Sequence, residues 1–306
     1  MINIDDIRKH FRGQIRLGEP LSRYTSFRVG GPADYFLEPA DKEDVAAIIA
    51  FLKREGVPWL VIGKGSNMLV SDKGVRGAVL NFEHGLDQMR SEKGLVAVDA
   101  GVTIARFVDF CVQQGLQGVE MLPGIPGTVG GGVMMNAGAY GGEISDHLVD
   151  VEVLRDGAII RVPKAEAGFR YRRSGFGEDI ILGATFSLEP GDKDEIMKRR
   201  KELMMKRNRA QPVNFPNSGS MYKNPPGNFA AKLLDEAGMK GTRAGGAQIS
   251  DRHANFIVNL GDATANDIIE LIKLSRKSVR EKFGITLELE VKLVGFPEDV
   301  VNEVNS

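Results

Sequence analysis

Met121-Leu-Pro-Gly-Ile-Pro-Gly-Thr-Val-Gly-Gly-Gly-Val-Met-Met-Asn-Ala-Gly-Ala-Tyr-Gly-Gly142 is the stretch on which the reading of this chain turns. It is uncharged, yet its eight glycines and two prolines argue against a spanning helix. Ordering so much glycine carries a large entropic cost, so the segment reads as backbone kept bare for close approach to a ligand. A second glycine segment, Val61-Ile-Gly-Lys-Gly-Ser-Asn-Met-Leu-Val-Ser-Asp72, leaves a predicted strand and carries Lys64, Ser66 and Asn67. Successive N–H groups in such a segment can converge on an anion such as a pyrophosphate. A pair of tight turns is the plainer alternative. Neither segment has the spacing of a P-loop, and Gly63-Lys-Gly-Ser-Asn lacks the third glycine of a dinucleotide fingerprint.

Around these segments the chain reads as an ordinary globular protein. Its 306 residues suggest two domains, and 42% apolar with 26% charged residues is enough for real cores. The net charge of −1 gives no general pull towards nucleic acid or an anionic membrane. Cys111, alone in the chain, excludes an internal disulfide and sits in an apolar helix stripe as an inert core thiol. His10, His84, His147 and His253 are scattered without metal-ligand spacing. No apolar signal segment opens the chain, which suits a cytoplasmic protein.

Helices are predicted from Asp41, with Asp44 three residues on, to Gly56; from Thr103 to Gln114; along the charged Asp192–Arg209; and from Thr264 to Phe283, ended by Gly284. Predicted strands are Trp59–Ile62, Ala78–Asn81, Leu95–Ala100, Val149–Arg155, Ala158–Val162, Ile180–Leu188, Phe256–Asn259 and Ile285–Val294. In the last, Ile285, Leu287, Leu289, Val291 and Leu293 alternate with polar residues. Hairpin-like runs mixed with helices favour an α+β fold over a doubly wound parallel sheet. The charged helix and Gln211-Pro-Val-Asn-Phe-Pro-Asn217 make the best boundary.

Gly63-Lys-Gly-Ser-Asn-Met-Leu-Val-Ser-Asp72, Leu122-Pro-Gly-Ile-Pro-Gly-Thr-Val-Gly-Gly131 and Asn136-Ala-Gly-Ala-Tyr140 resemble the UDP-N-acetylenolpyruvoylglucosamine reductase (MurB) family. The resemblance continues through Tyr171-Arg-Arg-Ser174, Gly219-Ser-Met-Tyr-Lys-Asn-Pro225, His253-Ala-Asn-Phe-Ile-Val-Asn259 and Leu287-Glu-Leu-Glu-Val291, in family order over nearly the whole chain. The short run between Tyr171–Ser174 and Gly219–Ser220 resembles the compact subtype. The resemblance implies an N-terminal helical segment over residues 1–20 and a two-lobed FAD-binding domain of vanillyl-alcohol-oxidase type over 21–190. A linking helix over 191–212 and a C-terminal α+β substrate domain over 213–306 complete the implied plan.

The implied reaction is NADPH-dependent reduction of UDP-N-acetylglucosamine enolpyruvate to UDP-N-acetylmuramate through bound FAD, a cytoplasmic step of peptidoglycan synthesis carried out by a monomer without nucleic-acid or membrane partners. No histidine lies in Lys64–Asn67, so FAD is expected to be non-covalent. The implied FAD contacts are Gly63, Lys64, Gly65, Ser66, Asn67, Pro123, Gly124, Gly127, Thr128, Gly130, Gly131, Asn136, Ala137, Gly138 and Ala139. Ser220 matches the family's proton donor, a poor acid that needs a positive neighbourhood, to which Lys223 could contribute; Ser218 is not the motif serine. Arg172 matches the arginine whose planar fork suits a carboxylate. Glu290 matches the active-site glutamate, with Glu288 as the alternative on the same face. Tyr171, Tyr222, Lys223, Asn224 and His253 are candidate nucleotide-sugar contacts, and Lys232, Lys240 and Arg243 could meet the UDP phosphates. Read without the resemblance, these are loop residues, a basic patch and a solvated strand face. A flavin oxidase and a non-enzymatic nucleotide-sugar or flavin binder are the competing readings.

Overall fold

The computed structural model describes residues 2–122 and 124–305, so Pro123, an expected FAD contact, lies outside the described residues. The fold is α+β, with helices beginning where local hydrogen bonds can cap them. The Asp41 carboxylate accepts from the Asp44 N–H at 2.8 Å and opens the helix Lys42–Arg54, which buries Val45, Ile48, Ile49 and Leu52. Thr103 caps Ile104–Gln113, whose Cys111 is buried, with its thiol pKa pushed up to about 12 by desolvation. Thr264 and Asp267 form a reciprocal capping box at the start of Ala265–Phe283, and Gly284 ends that helix at φ 67°.

Two compact units are interleaved along the sequence. The first comprises Met1–Leu17, Tyr35–Gly63 and Gly77–Arg207. A sheet, most of whose residues belong to this unit, has the order Gln14–Pro20, Pro32–Glu38, Val75–Asn81, Trp59–Ile62, with the last pair parallel. A five-stranded antiparallel sheet runs Ala158–Pro163, Leu148–Arg155, Ile180–Ser187, Leu95–Asp99, Met89–Glu92. Phe107 and Phe186 lie tilted to one another with ring centroids 4.7 Å apart in this unit's core, to which Ile48, Leu52, Leu80 and Val151 also belong.

The second unit comprises Gly18–Asp34, Lys64–Arg76 and Asn208–Ser306. Its antiparallel sheet of Arg243–Ala244, Ala247–Ile249 and Ile257–Asn259 carries the helices Ala230–Glu236 and Ala265–Phe283. Phe27, Leu69, Leu234, Ile268 and Leu287 belong to its separate core.

Three expectations are corrected. The N-terminal helical segment is helical only over Ile4–Arg8, and Gln14–Pro20 is a strand. Gly13 sets the change, since a Cβ there would lie 2.0 Å from the Glu38 carbonyl oxygen of the paired strand. The strand expected over Ile285–Val294 is regular only over Lys292–Val294, paired parallel to Met68–Val70, with an isolated bridge from Leu289 to Tyr222. The alternation survives at Leu287 and Val291, which are buried, but the partner segments are too short to carry one ladder. The division at residue 190 is also replaced. The Met68–Val70 pairing and the Phe27 carbonyl, which accepts from Asn259 Nδ2 at 2.9 Å, tie early segments to the C-terminal core. No helix among the described residues is long and apolar enough to cross a membrane.

Candidate active site

In the first unit, the long glycine segment enters the short helix Val129–Met134 through Thr128. Thr128 is buried, and its Oγ1 accepts from the Gly131 N–H at 3.3 Å. A Cβ on Gly63, just after Trp59–Ile62, would lie 2.5 Å from that same Oγ1. A Cβ on Gly130 would lie 2.8 Å from Ala100 Cβ. Protein packing therefore demands both glycines. Gly131 differs: it is exposed, and a Cβ there would meet nothing nearer than 3.6 Å. Gly124 and Gly127 take φ of 80° and 137°, a backbone that L side chains resist. The open backbone at Gly131 fits a cofactor that needs close approach, as the flavin nucleotide would.

Gly138–Ala139 pairs antiparallel with Gly142–Glu143, and the Ala137 N–H donates to the Gly132 carbonyl at 2.8 Å. Asn136, between these features, is completely buried at φ 44°. Its Nδ2 donates to Glu143 Oε2 at 2.6 Å and to the Arg170 carbonyl at 3.1 Å, while Oδ1 is buried without a hydrogen-bond partner. Through its Nδ2 the Asn136 amide is an internal clamp.

The clamp holds a tight turn. Arg170 and Arg173 exchange backbone hydrogen bonds at 2.9 and 3.0 Å, leaving Tyr171 and Arg172 at the tip. Ser174 Oγ donates to the Met134 carbonyl at 2.8 Å, so the turn is fastened to the glycine segment at both ends. Arg172, at φ 56°, is half-buried with its guanidinium 5.2 Å from the Tyr171 ring centroid. Arg170 and Arg173 are exposed, and Tyr171 is 51% exposed and open to a ligand.

In the second unit, Gly65 takes φ 52°, and a Cβ there would lie 2.3 Å from the Tyr24 carbonyl oxygen. Lys64 is exposed. Asn67 Nδ2 donates to the Glu290 carbonyl at 3.0 Å, and the Asn67 carbonyl accepts from the Lys292 N–H at 3.0 Å. The Asn67 side chain is therefore engaged in holding the Glu290 segment. Ser218 is buried and donates through Oγ to the Ser66 carbonyl at 2.8 Å.

The segment after Gly219 runs antiparallel to the one carrying Glu290. The Glu290 N–H donates to the Met221 carbonyl, and the Lys223 N–H to the Glu288 carbonyl, both at 2.9 Å. Ser220 and Glu290 are thereby placed on adjacent segments, each half-exposed. Glu288 is exposed and ion-paired with Lys223, so that ammonium is already engaged and gives Ser220 no free positive neighbour. Glu290 is the less exposed of the two glutamates.

Tyr222 is a core residue. Its hydroxyl lies 2.6 Å from Ser275 Oγ and donates to the Ile272 carbonyl at 3.1 Å, and burial pushes its pKa up. That corrects its reading as a sugar contact. Asn224 Oδ1 accepts from the Ala230 N–H at 3.0 Å and anchors the start of Ala230–Glu236, a structural role as well. His253 lies edge-on to Phe256, half-buried, with Nδ1 lacking a hydrogen-bond partner. Burial, and then the charge of Lys240, push its pKa down. Lys240 pairs with Asp235 at 2.6 Å, Arg243 donates to Gln248 Oε1 at 3.1 Å, and exposed Lys232 lies 3.9 Å from Glu236. Glu143, which accepts the second Asn136 bond, has no local signal in the sequence. No metal-binding group of His, Cys, Asp and Glu is found among the described residues.

Comparison with known proteins shows the family of the chain. A family model described as "UDP-N-acetylenolpyruvoylglucosamine reductase, C-terminal domain" matches residues 211–294, and one described as "FAD binding domain" matches residues 33–163. The UDP-N-acetylenolpyruvoylglucosamine reductase of Chloroherpeton thalassium is 44% identical, covering 98% of this chain and 99% of its own. That of Geobacter metallireducens is 46% identical, covering 94% and 97%. The crystal structure of the MurB enzyme from Thermus caldophilus matches with a TM-score of 0.79 at 38% identity, over 92% of this chain and 99% of that one.

Proposed function

The chain belongs to the UDP-N-acetylenolpyruvoylglucosamine reductase family, and from that premise we propose that it acts in the cytoplasm, as a monomer, with NADPH as reductant and Ser220 as proton donor. It is an FAD-dependent oxidoreductase, a UDP-N-acetylmuramate dehydrogenase of peptidoglycan synthesis. Bound FAD supplies hydride transfer from NADPH to C3 of the enolpyruvyl group. The long glycine segment would hold the cofactor, with Gly131 as its most open residue.

The protein's own residues manage charge and protons. Arg172 forks onto the substrate carboxylate and holds it as negative charge gathers on the enolpyruvyl group. Its position at the tip of a doubly fastened turn supports that role, because the backbone that carries it loses little further freedom on binding. Ser220 gives its hydroxyl proton to C2 and recovers one from solvent. Glu290 steadies the enolate by donating a hydrogen bond, which requires its carboxyl group to be protonated at that moment. Tyr171 and His253 remain the candidate nucleotide-sugar contacts, with Lys232, Lys240 and Arg243 towards the phosphates.

One observation carries the assignment of Ser220 and Glu290: the pairing of Met221–Lys223 with Glu288–Glu290. It leaves these two half-exposed while Ser218 is buried on Ser66 and Glu288 is engaged by Lys223. The test is the visible spectrum of the purified protein. Oxidised-flavin bands bleached by NADPH and restored by UDP-N-acetylglucosamine enolpyruvate under anaerobic conditions are expected. Bands that NADPH does not bleach, or that only oxygen restores, would point instead to an oxidase.

A further inference from the structure

The helix Lys193–Ala210 carries eight lysines and arginines against three carboxylates, in a chain whose net charge is −1. Two of the carboxylates, Asp194 and Glu195, stand in its first turn, where the helix dipole favours them. From Lys198 to Arg209 there are seven cations, with Glu202 the one carboxylate among them. The helix sorts these cations by face. On the side of buried Ile196 and half-buried Leu203, Arg199 pairs with Glu120 at 3.2 Å and Arg200 with Asp109 at 2.5 Å. Met197, Lys198, Lys201 and Met205 share the opposite face at helical spacing. All four are exposed, Met197 by 50% and Met205 by 45%. Lys198, Lys201 and the neighbouring Lys206 pair with no carboxylate among the described residues, although Asp194 and Glu202 stand four residues to either side of Lys198. Helix stability does not account for Lys198 and Lys201, because the dipole reaches cations only in the last turn and no ion pair forms along the face.

We propose that this outward face is a docking surface for an anionic lipid bilayer, with the lysine ammonium groups among the headgroup phosphates and the two methionine side chains at the acyl boundary. Charge complementarity calls for an anionic partner, and the side-chain types decide which. Lysine and methionine are long and flexible, and a fluid array of phosphates asks for no fixed geometry. A protein partner favours arginine and aromatic anchors around a packed apolar core, and this face has none of them. Two unlike signals, charge and a little apolar surface, give reversible adsorption that salt weakens. The chain's net charge averages this local excess away.

The test is co-sedimentation of the full chain with vesicles of mixed phosphatidylglycerol and phosphatidylcholine, and with vesicles of phosphatidylcholine alone, at about 0.05 M and about 0.15 M salt. Binding to the anionic vesicles alone is expected, and it should weaken as salt rises. Each lysine near such a surface strengthens binding roughly fivefold, so Lys198→Gln with Lys201→Gln should weaken it roughly 25-fold. Lys53→Gln with Lys73→Gln, at exposed positions outside the helix, removes the same charge and should change binding less than about twofold. Met197→Gln with Met205→Gln should weaken vesicle binding at least about threefold and leave binding to soluble polyglutamate unchanged. No sedimentation with anionic vesicles, equal sedimentation with phosphatidylcholine, or equal losses in the two lysine pairs overturns the proposal. Polyglutamate or duplex DNA that displaces the protein from vesicles through these lysines would assign the face to an acidic protein or a nucleic acid, and overturns it as well. The substituted side chains are exposed, so melting temperatures should be unchanged. A variant that melts early is replaced by Lys198→Ala with Lys201→Ala, read in the same way.

Discussion

Asn136, inside the glycine segment, holds the carbonyl of Arg170 at 3.1 Å, where the turn carrying Arg172 begins. The same Nδ2 donates to Glu143, so one buried amide fixes both the glycine segment and the turn. Asn136→Ala removes both bonds and places alanine at φ 44°. A loss of about 1–3 kcal/mol in stability is expected. Turnover of the enolpyruvyl substrate should fall at least about tenfold through misplacement of Arg172. Bleaching of bound flavin by NADPH should persist. Asn136→Gly, which accepts the backbone angle, should fail in the same way if the hydrogen bonds matter. Normal turnover in Asn136→Gly would remove the clamp from the reaction.

Gly131 and Gly130 are neighbours with opposite reasons to be glycine. Gly131→Val points into open space, so folding should be nearly normal while flavin content drops sharply. Gly130→Val collides with Ala100 and should cost about 1–3 kcal/mol of stability first. Denaturant melts and flavin absorbance of both variants separate the cases. Full flavin occupancy in Gly131→Val would take that residue out of the cofactor site.

Ser220→Ala tests the proton donor by splitting the two half-reactions. Ser220 follows Gly219 in a half-exposed loop, so one lost oxygen should leave packing intact. Flavin content and NADPH bleaching should be near normal, and reoxidation by the enolpyruvyl substrate should slow at least about a hundredfold. Ser220→Cys should recover part of the rate. Stopped-flow absorbance reads both steps, and equal slowing of both would make Ser220 structural.

Arg172→Lys keeps the charge and loses the planar fork. Turnover is expected to fall by at least about a hundredfold, with NADPH bleaching preserved. Arg170→Ala and Arg173→Ala, at exposed positions of the same turn, should change turnover by less than about threefold, because their backbone bonds close the turn. Steady-state kinetics of the three variants checks the assignment. Near-normal turnover in Arg172→Lys defeats it.

His253 should add an acid sensitivity to the second unit. Its pKa is lowered by burial and then by Lys240. Between the ordinary histidine value and the lower folded one, the unfolded chain binds a proton that the folded protein refuses. Stability therefore rises with pH across that window, and stability present above it is lost as pH falls through the folded pKa. His253→Phe preserves the ring contact with Phe256 and should flatten the dependence. Denaturation midpoints between about pH 5 and about pH 7.5 measure it. An unchanged slope would show that other groups carry the acid sensitivity.

The sequence by itself determined the features whose hydrogen bonds close within a few residues. Asp41, Thr103 and Thr264 cap helices three residues on, and the charged Asp192–Arg209 run is a mostly exposed helix. It also carried the family resemblance, and with it the reaction class, through motifs spread over the chain. Only the tertiary structure decided which polar side chains hold the frame. Asn67 bonds to Glu290 across 223 positions and Asn136 to Arg170 across 34, so neither bond could be read from the neighbours in sequence. Tyr222 sits in a polar-looking motif, yet its hydroxyl ends on Ser275, 53 residues away. The engagement of Glu288 by Lys223 depends in the same way on the segment partner that brings Lys223 alongside. Local propensity fixes where an element starts and which face is apolar, but the partner of a buried polar group is set by chain topology, because burial forces it to bond whatever the fold brings within reach.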